Sequence, residues 1–195
     1  MLPPELATER LLAIHNEIAS SLDSFAQTRP LKDEDPLLLG RYVQLYNYVE
    51  FNLRRSMEVF ARASVMPDKD KGKSIHEASA TRLIPIVKNG VAARPSEKST
   101  LTDTHSKLDE LELRRTYRNM FAHFDPRAYK DEFIVFLTRS DFDARQILGE
   151  PLGDDGVFLA VMERASIRSL HQHIQPYEEW IAKKMLEWRT ALGFS

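Results

Sequence analysis

A long run of apolar residues at helical spacing restricts this chain more than any other feature. Between Leu37 and Val65, the residues Leu38, Tyr42, Leu45, Val49, Leu53, Met57 and Phe60 recur at steps of three or four, the pattern of one helix face. Val43, Tyr46 and Phe51 widen that stripe, which predicts a helix gripped on more than one side. Such a helix needs helical partners, and the chain supplies them. Residues 5–27 place Leu6, Leu11, Leu12, Ile14, Ile18, Leu22 and Phe25 close to the same period, predicting a first amphipathic helix. A polar connector with two prolines, from Arg29-Pro30 to Asp35-Pro36, separates it from the long one.

Ser74-Ile75-His76-Glu77 has the spacing of a capping box. It predicts a helix of about fifteen residues, disturbed by Pro85 and ended by Asn89-Gly90. Residues 91–105 read as a connector, and another helix starts near Asp103–Ser106. Pro126 ends that helix, because proline disfavours the α conformation in the residue before it. The period then changes. Phe133-Ile134-Val135-Phe136-Leu137 and Val157-Phe158-Leu159-Ala160-Val161 are short runs rich in β-branched and aromatic residues. Turn residues lie between them, so a β-hairpin with a long tip is expected, as an insertion over approximately 131–164. A last helix follows from about Ser166 to Leu192, with Pro176 predicting a kink or a break. The fold class is mainly α: a bundle of four to five helices with a small hairpin before the last one, in a single domain over 1–195.

Composition limits the function. Apolar residues at 43% can fill a core, and charged residues at 29% suit a hydrated surface. The chain has no cysteine, which excludes disulfides and thiolate metal sites. No apolar run approaches the ~20 residues that span a bilayer. Met1-Leu2-Pro3-Pro4-Glu5 lacks the basic and apolar regions of a signal peptide, so no membrane association and a cytoplasmic location are expected. A net charge of −2 argues against a surface coated with basic residues for general nucleic-acid binding. It leaves room for a local groove built from Arg54, Arg55 and Arg62 in one segment and Arg114, Arg115 and Arg118 in another. All of these arginines except Arg118 also fit solvated or salt-bridged helix faces. His171 and His173 are two apart and point to different helix faces, which makes joint chelation of one metal difficult. No Gly-rich phosphate loop, zinc motif or nucleophile elbow is present, and neither cofactor nor metal is expected.

The chemistry concentrates in Arg114-Arg115-Thr116-Tyr117-Arg118-Asn119-Met120-Phe121-Ala122-His123. On a helix, Leu113, Tyr117, Met120, Phe121 and Phe124 fall on one side, broad enough to be buried. Arg115, Arg118, Asn119, Ala122 and His123 fall on the other. Arg118 and His123 are five apart, so their side chains diverge by roughly 140° and flank that polar face. Asn119 and Ala122 between them are polar and small, which permits close approach of another surface. On the long helix, Asn47, Glu50 and Arg54 form a polar line at i, i+3 and i+7. That line reads either as an intrahelical Glu50–Arg54 ion pair or as support that orients the motif.

Arg118-Asn119-Met120-Phe121-Ala122-His123 resembles the signature of the HEPN superfamily (higher eukaryote and prokaryote nucleotide-binding domains). There an Arg, often followed by a small polar residue such as Asn, precedes a His with four to six intervening positions near a helix end. The order of helices around the motif is also similar to the HEPN bundle over most of the chain. The resemblance implies metal-independent endoribonuclease activity, leaving a 2′,3′-cyclic phosphate and a 5′-hydroxyl. Arg118 and His123 would be catalytic with Asn119 as polar helper, Arg115 and Arg114 would bind substrate RNA, and Glu50, Asn47 and Arg54 would support them. It further implies a homodimer that joins two Arg–His sets in one cleft through residues 115–123. A toxin or defence role follows from the same likeness, with an antitoxin or other regulatory protein as a possible restraining partner. The alternatives are a non-catalytic HEPN-like module that binds nucleotides or a protein, and a plain helical interaction module. In a structural reading, Arg118 bridges helices and His123 caps a helix C-terminus.

Overall fold

The computed structural model describes residues 8–66, 78–94 and 98–194. It is mainly helical, with one small antiparallel sheet. In chain order the elements are α1 (Glu9–Ala19), α2 (Leu22–Ala26), α3 (Glu34–Arg62), α4 (Ala80–Ala92) and α5 (Lys98–His123). Then come β1 (Asp125–Tyr129), β2 (Phe133–Thr138), α6 (Asp141–Asp143) running into a π-helical turn (Ala144–Leu148), β3 (Phe158–Glu163) and α7 (Arg164–Ala191). By its internal contacts the chain divides into two compact units. One takes the chain up to Val43 together with Arg115–His173; the other takes Gln44–Arg114 together with Ile174–Ser195. Among the described residues no helix is long and apolar enough to cross a membrane.

Several boundaries differ from the sequence expectation for physical reasons. The single helix expected over 5–27 is two helices, because α1 closes at Ser20, whose N–H bonds the Asn16 carbonyl. The hydroxyl of Thr8 caps the other end, accepting from Leu11 N–H at 3.3 Å. Helix α3 begins three residues before Leu37, with Glu34 and Asp35 in its first turn, where acidic groups suit free amides and proline is tolerated. Helix α5 begins at Lys98 rather than near Asp103, so Ser99, Thr100 and Thr102 are helical and not connector. Pro176 lies inside a continuous α7. The Ser74–Glu77 capping box falls outside the described residues.

In the first unit the expected two-stranded hairpin is instead a three-stranded sheet, ordered β1-β2-β3 and antiparallel throughout. The two apolar runs do pair, Val135 with Val161 and Leu137 with Leu159. The extra strand, Asp125-Pro126-Arg127-Ala128-Tyr129, hides behind a proline and two charges, all acceptable on an edge strand. One sheet face, through Tyr129, Phe133, Val135 and Val161, packs on Leu11 and Ile18 of α1. Phe136 on the opposite face stacks on Phe121 of α5, with ring centroids 5.3 Å apart, and Phe121 meets the edge of Tyr42 at 5.1 Å. The β1–β2 turn carries positive φ at Lys130 (46°) and Asp131 (56°). Glu17 on α1 accepts hydrogen bonds from Lys130 Nζ at 2.6 and 2.8 Å and from the Tyr129 hydroxyl at 2.7 Å. Asp131 pairs with Lys32 at 3.2 Å. Buried Asp35 in the first turn of α3 pairs with Arg164 at the start of α7, at 3.0 Å.

In the second unit, Tyr46, Val49, Leu53, Met57 and Phe60 are buried along α3, and the Tyr46 hydroxyl donates to the Leu111 carbonyl at 2.7 Å. Phe51 is a correction: it is exposed, with the Arg55 guanidinium over its ring at 5.6 Å. Gly90, expected to end a helix, lies inside α4. A Cβ there would fall 2.8 Å from Phe60 Cγ, so the glycine permits close packing of α4 on α3.

Candidate functional site: the end of helix α5

The last turns of α5 separate into two faces. Tyr117, Met120, Phe121 and Phe124 are buried. Phe121 is held by Phe136 and Tyr42, and Phe124 meets the edge of Phe158 at 6.2 Å. Two aromatic anchors thus bracket Ala122 and His123, and both of those side chains are exposed. Phe124 N–H closes the turn on the Met120 carbonyl at 3.0 Å, after which Asp125 opens β1. The histidine stands on a helix end that cannot roll without unpacking Phe121 and Phe124.

Arg118 and Asn119 are both half-buried, and Arg118 Nη1 donates to Asn119 Oδ1 at 3.0 Å. This contact fixes the direction of the guanidinium plane. Arg115 is half-buried in the same unit. Arg114 differs. It is 7% exposed, and its Nε and Nη2 reach Glu110 Oε1 at 2.7 and 2.6 Å, so it takes the salt-bridged alternative.

The three residues expected to support the motif belong to the second unit. Asn47 is exposed, Glu50 is half-buried, and Arg54 Nη1 donates to the Ala78 carbonyl at 3.0 Å.

Two further arginines stand beside the motif. A cleft of about 480 Å³ is lined by Phe25, Asp125, Arg127, Leu137, Thr138 and Arg139, among others. It begins two residues past His123. Arg127 Nε pairs with Asp125 at 3.0 Å, while Arg139 is exposed and has no ion-pair partner among the described residues. The pairing of Asp125 with Leu137 brings β1 and the end of β2 together there. Sequence spacing alone does not associate Arg127 or Arg139 with His123. The signal that would have done so is the period-two pattern of Asp125, Arg127 and Tyr129, legible only once this segment is known to be a strand. No family model, curated protein or solved structure matches the chain.

Chemically, the site offers an exposed imidazole, a hydrogen-bonded guanidinium and an adjacent cleft with two cations and one carboxylate. Among the described residues no three His, Asp or Glu side chains are grouped to hold a metal ion.

Proposed function

We propose that this chain is a metal-independent endoribonuclease of HEPN type. The observation that supports this most is the exposed His123 fixed between two buried phenylalanines, one turn beyond a hydrogen-bonded Arg118–Asn119 pair. In the proposed reaction the RNA 2′-hydroxyl attacks the adjacent phosphorus. An imidazole takes the hydroxyl proton, the P–O5′ bond breaks, and a second proton carrier protonates the departing 5′-oxygen. The products are a 2′,3′-cyclic phosphate and a 5′-hydroxyl end. The Arg118 fork meets the charge gathering on the phosphate oxygens, with Asn119 fixing its direction. Arg115 and the cleft arginines Arg127 and Arg139 bind the flanking backbone.

One helix end supplies one histidine, whereas this reaction uses both a base and an acid. We therefore place the active form in a two-fold homodimer that joins residues 115–123 of both subunits, where small, exposed Ala122 permits close approach. A toxin or defence role, with a restraining partner, is part of the same reading. The test is incubation of purified protein with total RNA in excess chelator, with product ends mapped. Wild type is expected to cut, and His123→Ala and Arg118→Ala to lose at least about a hundredfold in rate while retaining the wild-type melting temperature. Intact RNA with the wild-type protein under these conditions would sink the proposal.

An apolar cleft along β3, walled by Leu11, Leu12 and Leu152, supports a second reading: a HEPN-like module that holds a partner without cutting. It predicts no RNA loss and no phenotype from His123→Ala.

A further inference from the structure

The two outer edges of the sheet differ. The β1 edge is closed by Arg29: Ala128 N–H donates to the Arg29 carbonyl at 2.8 Å, and Arg29 N–H to the Ala128 carbonyl at 2.9 Å. Among the described residues no strand or bridge pairs the outer side of β3. Hydrogen-bonded and non-bonded pairs alternate along an antiparallel ladder. Arg164 N–H donates to the Glu132 carbonyl at 2.8 Å, one step beyond the Phe133–Glu163 pair. The inner bonds therefore belong to Ile134–Met162 and Phe136–Ala160, and the N–H and C=O groups of Leu159 and Val161 point to the open side. Val157 shares their phase, and its carbonyl indeed accepts from a loop residue, Gly153 N–H, at 2.9 Å.

A cleft of about 640 Å³ follows this edge. Four consecutive β3 residues, Phe158 to Val161, line it. Since successive strand residues face opposite sides, the cleft tracks the edge rather than one face. Leu12 and Phe25, 45% and 39% exposed, form part of its wall. Glu150, Asp154 and Asp155 form an acidic rim, and neither lysine nor arginine lines the cleft. Glu150 and Asp154 are exposed and have no cationic partner among the described residues. Open strand edges are usually guarded by lysine, proline or a bulge; Phe158-Leu159-Ala160-Val161-Met162 contains neither residue.

We propose that the outer edge of β3 and its cleft bind an extended peptide segment of a partner protein, with apolar residues alternating with lysine or arginine, by strand addition. The backbone of Leu159 and Val161 supplies the ladder, alternate apolar side chains enter the cleft, and the basic ones meet Glu150 and Asp154. The acidic rim and the apolar floor together select that chemistry. This binding is independent of RNA cleavage.

The test uses the full chain and a fluorescein-labelled short peptide of alternating valine and lysine, with a valine–glutamate peptide as control. Anisotropy should show saturable binding of the first, at least about tenfold tighter than the second. Amide hydrogen exchange at Leu159 and Val161 should slow in the complex. Leu159→Pro deletes an outward N–H, at an edge where proline is tolerated, and should abolish binding. Glu150→Lys with Asp154→Lys changes only exposed side chains and should reverse the peptide preference, which keeps the test decisive if the proline variant fails to fold. Equal binding of the two peptides, or binding of the first that survives both variants, overturns the proposal. So does a concentration-dependent dimer lost in Leu159→Pro when the wild type ignores both peptides, since a second copy would then own the edge.

Discussion

His123 is exposed because of what its neighbours do. Phe121 and Phe124 are committed to the sheet side of α5, and helical geometry then turns residues 118, 119, 122 and 123 the other way. That much was legible in the spacing of the motif. The Arg118–Asn119 hydrogen bond was not, since adjacent helical residues do not ordinarily face each other. Under the proposed ribonuclease reading, Asn119→Ala is expected to lower kcat about tenfold through misdirection of the Arg118 fork, with KM for RNA and the melting temperature nearly unchanged. A variant that lost only stability would mark Asn119 as structural. Glu17 gives a prediction in pH. Hydrogen bonds from Lys130 and Tyr129 hold its carboxyl below the ordinary carboxylate range, and the same pair holds Lys130 above the ordinary lysine range. The stability they add is therefore full between those ranges. It is lost as pH falls through the lowered carboxyl pKa or rises through the raised lysine pKa. The difference in urea midpoint between wild type and Glu17→Gln should be largest near neutrality and vanish in acid.

At the scale of elements, apolar periodicity identified α3 and the two longer strands, since long runs with one buried side leave a pattern that tertiary packing rarely overrides. It failed where side chains serve two masters. Phe51 continues the apolar count on α3 yet is exposed with Arg55 over its ring, and β1 is too polar to announce itself. Gly90 reads as a helix stop because glycine favours left-handed caps, whereas its use is space for Phe60. Gly90→Ala gains up to about 1 kcal/mol of helix propensity. The clash with Phe60 costs about 1–3 kcal/mol, so net destabilisation is expected by chemical denaturation. Asp35, 1% exposed, offsets the unfavourable placement of a cation, Arg164, at the N-terminus of α7. Asp35→Ala strands that cation at 15% side-chain exposure and should cost about 2–4 kcal/mol, measurable as a lower denaturation midpoint.

For the whole molecule, the proposed shared site would make activity a property of pairs. When wild-type protein is mixed with excess His123→Ala protein and allowed to exchange subunits, activity per wild-type chain should fall steeply. Strict proportionality to the wild-type content would show that each subunit cuts alone. The net charge of −2 could only say that the surface is not uniformly basic; the local cationic cleft at Arg127 and Arg139 emerged from strand pairing between segments that carry no basic cluster of their own.

Each compact unit is assembled from two stretches separated along the chain. Leu11 and Ile18 belong to the same apolar cluster as Val161, so during translation α1 leaves the ribosome long before the strand that will cover it has been made. The nascent chain must carry a bare oily stripe through most of its own synthesis. No uninterrupted fragment contains either unit whole without also carrying a stretch of the other.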